Sequence, residues 1–263
     1  MNSEQTLPII ILTLEGADKR RAPLLKLLDD LQLNYELFFG VDGRQHLPAK
    51  YEPLVDRSAR VEINGWPMTD GEYACALSHL FIYRQIVERG LARAIILEDD
   101  AVIGSAFAAL ARGQISAPGG LFMLDHDRVL FRWHARISVA KGLHAYQIAV
   151  PPTLTTAYTI NRFGAEYLLD HAFPVRNLAD WPAKITQMAS FAIHPRIVDH
   201  PDPATTNSDL QEARVALRDN HNAKRPKGWK RCFTKAYWLR RRRDWYRFRY
   251  RKLDAAVRLD ILD

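Results

Sequence analysis

The sequence predicts an α/β fold with a central, mostly parallel sheet, and three observations lead to this expectation. Short apolar runs that suit buried strands occur at residues 7–14 (LPIIILTL), 35–41 (YELFFGV) and 92–97. Between the first two runs, residues 19–31 carry apolar side chains at helical spacing, so the chain opens as a β-α-β unit. The third run ends in three consecutive carboxylates at residues 98–100, the place where open α/β sheets bind ligands.

Later segments continue the alternation of helices and strands. Thr69 and Glu72 are spaced as a capping box, which predicts a helix from about residue 70 to residue 87. Residues 129–143 favour a β-hairpin whose turn lies near Lys141-Gly142.

The composition excludes several classes of protein. The chain has 263 residues, of which 48% are hydrophobic and 25% are charged, values typical of a soluble globular protein. Its two cysteines, Cys75 and Cys232, are too few for a disulfide scaffold and indicate a reducing compartment. Residues 1–8 lack the pattern of a signal peptide, and no apolar run approaches the roughly 18 residues of a membrane span. We therefore expect a protein that is cytosolic or peripheral to a membrane.

The net charge of +7 is concentrated near the C-terminus. Residues 224–263 hold 15 Lys and Arg against four Asp, a balance of +11, whereas the other 223 residues hold 22 basic and 26 acidic residues, a balance of −4. We therefore divide the chain into a body of residues 1–222 and a basic, aromatic C-terminal extension of residues 223–263, which we expect to be helical.

The C-terminal extension interleaves arginine with tryptophan and tyrosine, most densely between Trp238 and Lys252. Each basic residue contributes roughly 1 kcal/mol of attraction to an anionic membrane surface, and Trp and Tyr favour the membrane interface. Nucleic acid would attract the same charges, but the body shows no nucleic-acid-binding module; a solvated helix is the remaining alternative. We predict docking on an anionic membrane surface and expect no nucleic acid partner.

Glu98, Asp99 and Asp100, here called the acidic cluster, carry the strongest chemical signal. Adjacent carboxylates repel one another, and a hard divalent cation such as Mg²⁺ or Mn²⁺ would offset that repulsion while leaving coordination positions for phosphate oxygens. The alternative is a solvated turn that happens to be acidic, and the three residues alone do not separate the two interpretations. A second apolar run, residues 119–124, also ends in acids, at residues 125–127 (Asp-His-Asp).

Four motifs follow one another along the chain. They are Asp18-Lys19-Arg20-Arg21, Phe39-Gly40-Val41-Asp42-Gly43, a block from Thr69 to His79, and Leu97-Glu98-Asp99-Asp100-Ala101. With these motifs the sequence resembles glycosyltransferase family 25, the group of bacterial lipooligosaccharide galactosyltransferases, over about residues 7–208. The resemblance implies a GT-A-like nucleotide-sugar-binding fold, a UDP-sugar donor with galactose as the first guess, inversion at the anomeric carbon, and dependence on Mn²⁺ or Mg²⁺. Residues 125–127 depart from the pattern expected of the family.

The resemblance also assigns residues to the metal and the donor. Asp100 is the implied direct metal ligand, and Glu98 would contact the metal, a water bound to it or the ribose. GT-A sites commonly take a later ligand, for which His200 is the candidate and His194 the second choice; a structural or solvated histidine is the alternative. For Arg20, which could contact phosphate, the alternative is a solvated helix face. Donor binding is implied for Leu14, Arg20, Asp42, Ser78, Glu98 and Asp99.

Transfer of a sugar also needs a base that takes the proton of the acceptor hydroxyl. Asp180, followed by Trp181 as a stacking face for a sugar ring, is the candidate, and a turn residue before a proline is the alternative. Glu72 and His79 lie seven residues apart, so they share a face of the predicted helix, and the resemblance favours catalytic roles for both. The alternative is a capping-box acid and a core histidine.

Taken together, these patterns predict an inverting, metal-dependent glycosyltransferase that moves a sugar from a UDP-sugar to a lipopolysaccharide or lipooligosaccharide acceptor. It would work in the cytoplasm at the inner face of a bacterial inner membrane, where a lipid-linked saccharide acceptor is presented. One alternative is a peripheral membrane or nucleic-acid-binding protein on a degenerate transferase scaffold. Another is a metal-dependent hydrolase of nucleotide sugars.

Overall fold

A computed structural model describes residues 6–59, 67–127, 129–201, 228–234, 237–238, 241–242, 245 and 249–253. The predicted domain boundary near Asn222 lies outside these residues. The strands in this part of the chain are β1 (Ile9–Thr13), β2 (Glu36–Phe39), β3 (Arg93–Glu98), β4 (Val102–Ile103), β5 (Leu121–Met123), β6 (Leu130–Ala140), β7 (Leu143–Val150), β8 (Ala157–Asn161), β9 (Ser190–His194), β10 (Val198–Asp199) and β11 (Arg251–Lys252). The α-helices are α1 (Asp18–Asp30), α2 (Asp70–Glu88), α3 (Ser105–Ala111) and α4 (Arg162–Ala172), and short 3₁₀ helices lie at Ala49–Leu54, Ile185–Gln187 and Gly228–Phe233.

Nine of the described strands form one sheet in the order β11-β6-β7-β9-β5-β8-β3-β1-β2. β1 pairs in parallel with β2 and β3, and β5 pairs in parallel with β9, whereas the other pairings in the sheet are antiparallel. Followed across the sheet, these pairings give β1, β2, β3, β5, β6 and β9 one direction and β7, β8 and β11 the other. Most strands therefore point the same way, and the predicted α/β fold with a mostly parallel central sheet is confirmed.

Helices cover both faces of this sheet. On one face α2 packs against α4, and the two helices contribute Leu77 and Leu168 to a buried core. On the other face α1 and α3 contribute Leu28 and Phe107 to a second core. Successive residues of β1 and β3 alternate between the two cores. Both runs are continuously apolar because each side chain of such a strand meets a protein interior rather than water.

The strands that carry the predicted site end at one edge of the sheet. β1 and β3 are parallel with Leu12 opposite Glu98, so the residues that follow the two strands lie side by side. β5 and β9 run in the same direction as β3, and Asp125 and His194 therefore reach the same edge. This carboxyl edge is where α/β sheets bind ligands.

Two local predictions are confirmed by hydrogen bonds and pairing. The Thr69 hydroxyl accepts from the Glu72 amide at 3.1 Å, and the Glu72 carboxylate accepts from the Thr69 amide at 2.8 Å, which is a complete capping box at the start of α2. β6 and β7 form the predicted hairpin, whose turn includes Gly142 at a φ of +76° that favours glycine.

The C-terminal extension returns to the sheet, because β11 pairs with β6 at Leu130 and Phe131. The helical character predicted for the extension as a whole stays a prediction. None of the helices within the described residues combines the length and the hydropathy needed to cross a bilayer.

Candidate active site

A cleft of about 1150 Å³ opens at the carboxyl edge of the sheet beside β1 and β3. The turn after β1, the first turn of α1, the loop after β2, the start of α2 and the end of β3 form its walls. Five residues predicted to bind the donor line it: Leu14, Arg20, Ser78, Glu98 and Asp99. The structure thus brings together most of the donor-binding residues that the sequence predicted.

The turn between β1 and α1 directs the start of α1 into this cleft. The Ala17 amide donates to the Leu14 carbonyl at 3.1 Å, and Gly16 has a φ of +75°, a conformation that glycine adopts without strain. Gly16, Lys19 and Arg20 consequently line the cleft. Sequence analysis found the helix but had no way to show which of its basic residues faces the acids.

Arg20 bridges two members of the acidic cluster. Its Nε atom lies 2.8 Å from Oδ1 of Asp99, and its Nη2 atom lies 2.8 Å from Oδ2 of Asp100. The Thr13 hydroxyl, at the end of β1, donates to Oδ2 of Asp99 at 2.7 Å. Asp99 is therefore held from two sides, whereas Asp100 keeps a side chain that is 25% exposed.

The acidic cluster remains electrostatically unbalanced despite Arg20. Burial and the neighbouring carboxylates raise the pKa values of Asp99 and Asp100 above their usual range, although Arg20 acts in the opposite direction. Burial alone would lower the pKa of Arg20, but the three carboxylates outweigh it and raise that pKa. Three acids facing one guanidinium form a site that favours an additional cation.

Glu98 is held in its ionised form by a different set of partners. The Thr155 hydroxyl donates to Oε1 of Glu98 at 2.7 Å, and Nε2 of His79 lies 3.5 Å from the same oxygen. Burial favours a higher pKa for Glu98, but His79, Thr155 and Arg20 outweigh it and lower that pKa. The role of Thr155 was not predicted, because a threonine in a strand-like segment has no distinctive pattern.

His79 lies behind Glu98 in a fully buried hydrogen-bond chain. Its Nδ1 atom is 2.8 Å from the Tyr158 hydroxyl, which is 2.8 Å from the Tyr83 hydroxyl. His79 is thus a core histidine that also contacts a residue of the cleft. Its catalytic role stays a prediction, and the geometry supports an action through Glu98.

Glu72 and Ser78 have structural partners in α2. The Glu72 carboxylate is engaged in the capping box, so the structure displays the alternative given for this residue, and its catalytic role stays a prediction. Ser78 accepts from the Val41 amide at 2.8 Å and donates to the Ala74 carbonyl at 2.7 Å. Ser78 therefore fixes the end of β2 against α2 while it lines the cleft.

Asp42 is 46% exposed and forms a salt bridge with Arg44 at 2.6 Å. Hydrogen bonds from Arg44 lower the pKa of Asp42. Arg44, which the sequence analysis missed, lines the cleft together with Arg57. Asp42 thus orients a basic residue at the donor cleft, and direct donor binding by Asp42 stays a prediction.

A second charged group at the same edge, here called the Asp125 network, comprises Asp125, Arg196, Asp199 and His200. Asp125 is fully buried, with Oδ1 2.6 Å from Nη1 of Arg196 and Oδ2 2.7 Å from Nδ1 of His200. Arg196 also lies 3.3 Å from Asp199. Burial would raise the pKa of Asp125, but His200 and Arg196 outweigh it and lower that pKa; the bond to Asp125 raises the pKa of His200.

The Asp125 network explains the second acidic run in the sequence and places His200. The ligand atoms of Asp125, Asp199 and His200 lie within 4.8 Å of one another, an arrangement compatible with a divalent cation. The groups of ligand atoms that the described residues bring this close do not include Asp100. However, β10 pairs with β4 so that Asp199 opposes Val102, and His200 therefore continues towards Ala101 and the acidic cluster.

Asp180 and Trp181 lie in the segment that follows α4. Trp181 is buried, and its ring centroid lies 5.5 Å from that of Tyr158 in an edge-on contact. The predicted stacking face for a sugar is therefore wrong, because the indole is part of the core. Asp180 is partly exposed and is not among the described residues that line the cleft, and its role as the base stays a prediction.

The remaining predicted histidine, His194, and His126, which follows β5, lie near the same edge of the sheet. His194 ends β9 and packs edge-on against Tyr146, with ring centroids 6.2 Å apart. His126 is fully buried, and burial lowers its pKa to about 4. A neutral His126 bound to the Ile193 carbonyl at 2.7 Å is a structural group.

The chain matches known proteins of one family. The model of "Glycosyltransferase family 25 (LPS biosynthesis protein)" matches residues 6–181, more than half of the chain. A Haemophilus influenzae protein named "Putative glycosyltransferase" is 28% identical over 172 residues, which cover 64% of this chain and 58% of that protein. The mouse "Inactive glycosyltransferase 25 family member 3" is 31% identical over 99 residues, and zebrafish "Procollagen galactosyltransferase 1" is 30% identical over 95 residues.

The two vertebrate matches cover 35% of this chain and 16% of each relative, so the chain spans a small part of those proteins. The family match, by contrast, includes β1, the acidic cluster, all of α2 and Asp180. It ends before the Asp125 network is complete, because Arg196, Asp199 and His200 follow residue 181. On the extent of this match, the chain belongs to glycosyltransferase family 25.

Proposed function

We propose that this protein is a metal-dependent glycosyltransferase that moves a sugar from a nucleotide sugar to an acceptor hydroxyl. The observation that carries the proposal is the cleft at the carboxyl edge of β1 and β3, which two members of the acidic cluster, Glu98 and Asp99, line together with Arg20 and Lys19. A nucleoside diphosphate needs a cation for its charge and a groove for its base and sugar, and this cleft offers both.

The acidic cluster fits a hard divalent cation. Three carboxylates face one guanidinium, which leaves a surplus of two negative charges in a partly buried site. Mg²⁺ and Mn²⁺ prefer such oxygen ligands. Asp100 and Glu98 would hold the ion, and His200 would add a ligand from the neighbouring β10. When bound, the ion would neutralise the charge that develops on the leaving diphosphate.

The side chains around the cluster have separate tasks in this proposal. Thr13 and Thr155 hold Asp99 and Glu98 in fixed orientations, so the carboxylates need no rearrangement when the donor arrives. The Arg20 guanidinium can turn from the carboxylates to a phosphate oxygen, because the side chain is 56% exposed. His79 keeps Glu98 ionised.

Asp180 is the proposed base for the acceptor hydroxyl. Its neighbour Trp181 packs edge-on against Tyr158, which also bonds to His79, so the Asp180 backbone is tied to the core. In a single displacement the acceptor oxygen would bond to the anomeric carbon, its proton would pass to Asp180, and the bond from that carbon to the diphosphate would break, so the configuration at the carbon inverts.

The proposed donor and acceptor are drawn from the names of the matched proteins and family, and the proposed membrane docking is drawn from the charge of the C-terminal extension. UDP-galactose is the first donor to test, because the zebrafish relative is named a galactosyltransferase. The family description names lipopolysaccharide biosynthesis, which supports a lipopolysaccharide or lipooligosaccharide acceptor. We further propose that the C-terminal extension, with its balance of +11 over residues 224–263, docks on the anionic inner face of a bacterial inner membrane.

The proposal is tested with the full chain and a panel of UDP-sugars, with Mn²⁺, with Mg²⁺ and with EDTA. We expect binding of one UDP-sugar and its turnover with a lipooligosaccharide acceptor only when the metal is present, and nuclear magnetic resonance of the product should show an inverted anomer. Absence of UDP-sugar binding, or equal turnover in EDTA, contradicts the proposal. Tight binding of vesicles or RNA without donor affinity would instead support a degenerate scaffold.

Membrane docking is tested separately by sedimentation with vesicles. The chain should bind vesicles that contain anionic phosphatidylglycerol and leave neutral phosphatidylcholine vesicles in solution, and salt should weaken the binding. Replacing Arg241 and Arg242 by serine should reduce it, since each contributes roughly 1 kcal/mol. Equal binding to both kinds of vesicle would contradict electrostatic docking.

A further inference from the structure

A second group of potential metal ligands lies beside the cleft and comprises Cys75, His79 and Glu98. The Cys75 sulfur, a His79 nitrogen and a Glu98 carboxylate oxygen all lie within 4.8 Å of one another. Cys75 and His79 are four residues apart on α2 and so share one face of the helix, while Glu98 ends β3. Cys75 and Glu98 line the cleft, which gives an ion a path from solvent.

The His79 side chain supplies an independent observation. It is fully buried, yet its Nε2 atom has no hydrogen-bond partner among the described residues, and Oε1 of Glu98 lies 3.5 Å away. Buried polar atoms normally have such a partner. The other ring nitrogen is held by the Tyr158 hydroxyl at 2.8 Å, as histidines that bind metals are held by outer partners. The unpartnered nitrogen is therefore oriented towards the Glu98 carboxylate.

We propose that Cys75, His79 and Glu98 bind Zn²⁺, or a divalent cation of similar softness, and that this ion blocks the donor site. A sulfur, a nitrogen and an oxygen ligand match zinc, whose bonds of about 2.0–2.3 Å separate tetrahedral ligand atoms by about 3.5 Å. An ion bound by all three residues would draw their ligand atoms, which lie within 4.8 Å of one another, to that spacing. Mg²⁺ and Mn²⁺ prefer oxygen ligands and match this site poorly.

The protons and charges balance at such a site. The Cys75 thiol releases its proton to solvent and binds as a thiolate, and the Glu98 carboxylate binds as an anion, so two negative charges meet the dication. His79 binds as the neutral tautomer with its proton on Nδ1, so a proton that Nε2 directs at Glu98 in the metal-free site leaves for solvent; Nδ1–H then donates to Tyr158, whose own hydroxyl donates to Tyr83. The result is a neutral complex, which a buried location favours.

The blocking effect rests on the proposed function, because Glu98 belongs to both sites. A zinc ion that holds Glu98 removes it from the catalytic metal and occupies the wall of the cleft. Zn²⁺ should therefore inhibit transfer that depends on Mn²⁺, whereas binding of the zinc itself does not require that the protein transfers sugar.

Cobalt titration of the full chain tests the site without any assay of activity. A thiolate bound to Co²⁺ gives an intense near-ultraviolet charge-transfer band, and Co²⁺ replaces zinc in such sites. We expect the band in the wild type and in Cys232→Ser, and its loss in Cys75→Ser. Cys232 is the matched control, since it is the other cysteine of the chain and lies in the C-terminal extension. A missing band in the wild type, or one that survives in Cys75→Ser, overturns the proposal.

X-ray absorption of zinc-loaded Cys232→Ser keeps the test decisive if Cys75→Ser does not fold. One zinc–sulfur distance of about 2.3 Å, the length of a zinc–thiolate bond, is expected with nitrogen or oxygen neighbours at about 2.0–2.1 Å, and the one thiol left in this variant is that of Cys75. A shell of nitrogen and oxygen alone overturns the proposal.

The inhibition is measured as the Zn²⁺ concentration that halves the initial rate of transfer at fixed Mn²⁺. This concentration should rise at least about tenfold in Cys75→Ser and stay unchanged in Cys232→Ser, each variant being compared with its own rate without zinc. Equal zinc sensitivity in all three proteins overturns the blocking effect. If no transfer is detected at all, the proposed function fails while the cobalt result still decides the metal site.

Discussion

The acidic cluster and the Asp125 network lie at the same edge of the sheet but differ in charge balance. The cluster places three carboxylates around the half-exposed Arg20, and its Asp99 and Asp100 have raised pKa values. The network surrounds the fully buried Asp125 with Arg196 and His200, and the pKa of Asp125 is lowered. The acidic cluster thus lacks positive charge, whereas each carboxylate oxygen of Asp125 has a partner.

On the proposed function, this difference makes the acidic cluster the site that takes up a cation. A carboxylate with a raised pKa lowers stability when it is ionised, so the acidic cluster gains from an added cation. A carboxylate with a lowered pKa stabilises the fold through its existing partners. In the proposed function, His200 adds a ligand to a cation at the acidic cluster, while Asp125, Asp199 and His200 keep an arrangement that is itself compatible with a divalent cation.

The largest expected effect is on stability at the Asp125 network. Replacing Asp125 by Asn leaves Arg196 as a buried charge without its closest partner, and breaking such a pair costs about 3–5 kcal/mol. Urea denaturation at pH 7 should show a free energy of unfolding lowered by that amount. The control is Asp30→Asn on the exposed face of α1, which should change stability by less than about 0.5 kcal/mol. Similar losses in both variants would contradict a structural Asp125.

The next effect is on catalysis at the acidic cluster. Asp100→Ala should reduce metal-dependent turnover on the order of 10²–10³-fold, because the leaving diphosphate loses its cation. Circular dichroism should show an unchanged fold, since Asp100 is partly exposed and its partner Arg20 is solvated. Steady-state kinetics with the preferred UDP-sugar would measure the change. Turnover equal to that of the wild type would remove Asp100 from the site.

Arg20→Met should affect metal and nucleotide in opposite directions. Without the guanidinium, the carboxylates keep their full charge, and Mn²⁺ alone should bind several-fold more tightly by about 1 kcal/mol. UDP binding at saturating Mn²⁺ should weaken about tenfold, because a charge-assisted bond to phosphate is lost. Calorimetry measures both, with Lys26→Met on the outer face of α1 as the control. Changes in the same direction for both ligands would contradict the phosphate contact.

The smallest effect is the pH dependence of stability in Asp100→Asn. The folded state raises the pKa of Asp100 above its ordinary 3.8, so ionisation weakens the fold as pH rises through the raised value. Asp100→Asn should therefore be more stable than wild type at pH 7, by on the order of 1 kcal/mol, and equal to it below about pH 3.8.

Asp125→Asn should show the opposite sign. The lowered pKa of Asp125 gives the wild type an advantage above pH 3.8, which fades as pH falls through the folded value. Thermal denaturation of both variants and wild type across the acid range measures the two differences. A stability difference of the same sign in both variants would contradict the opposite charge balance of the two groups.

Much of the architecture followed from local patterns. The continuous apolar runs of β1 and β3 predicted buried strands, and Thr69 with Glu72 predicted the start of α2. Periodicity and capping are properties of neighbouring residues, so a sequence displays them directly. That residues following strands, such as Leu14 and Asp99, line one cleft was expected for the same reason, since strand ends meet at one edge.

The partners of those residues were not predictable. Thr13, Thr155 and Arg196 contact carboxylates that lie 86, 57 and 71 positions away in the chain. No local pattern marks a threonine or an arginine for such a contact. The buried position of Trp181 escaped the sequence analysis as well, because a tryptophan before a proline reads equally as a surface platform and as a core residue.

Local sequence patterns predicted the opening β1-α1-β2 unit, the start of α2, the β6–β7 hairpin, the family, and the crowded acids at the end of β3. Those features depend on residues close together in the chain. The neutralisation of each acid depends on which distant side chain reaches its carboxylate, and this is a property of the tertiary structure. Through Arg20 it leaves the acidic cluster unbalanced, and through Arg196 and His200 it satisfies Asp125. The three-dimensional pairing of charges thus distinguishes two acidic groups that look alike in the sequence.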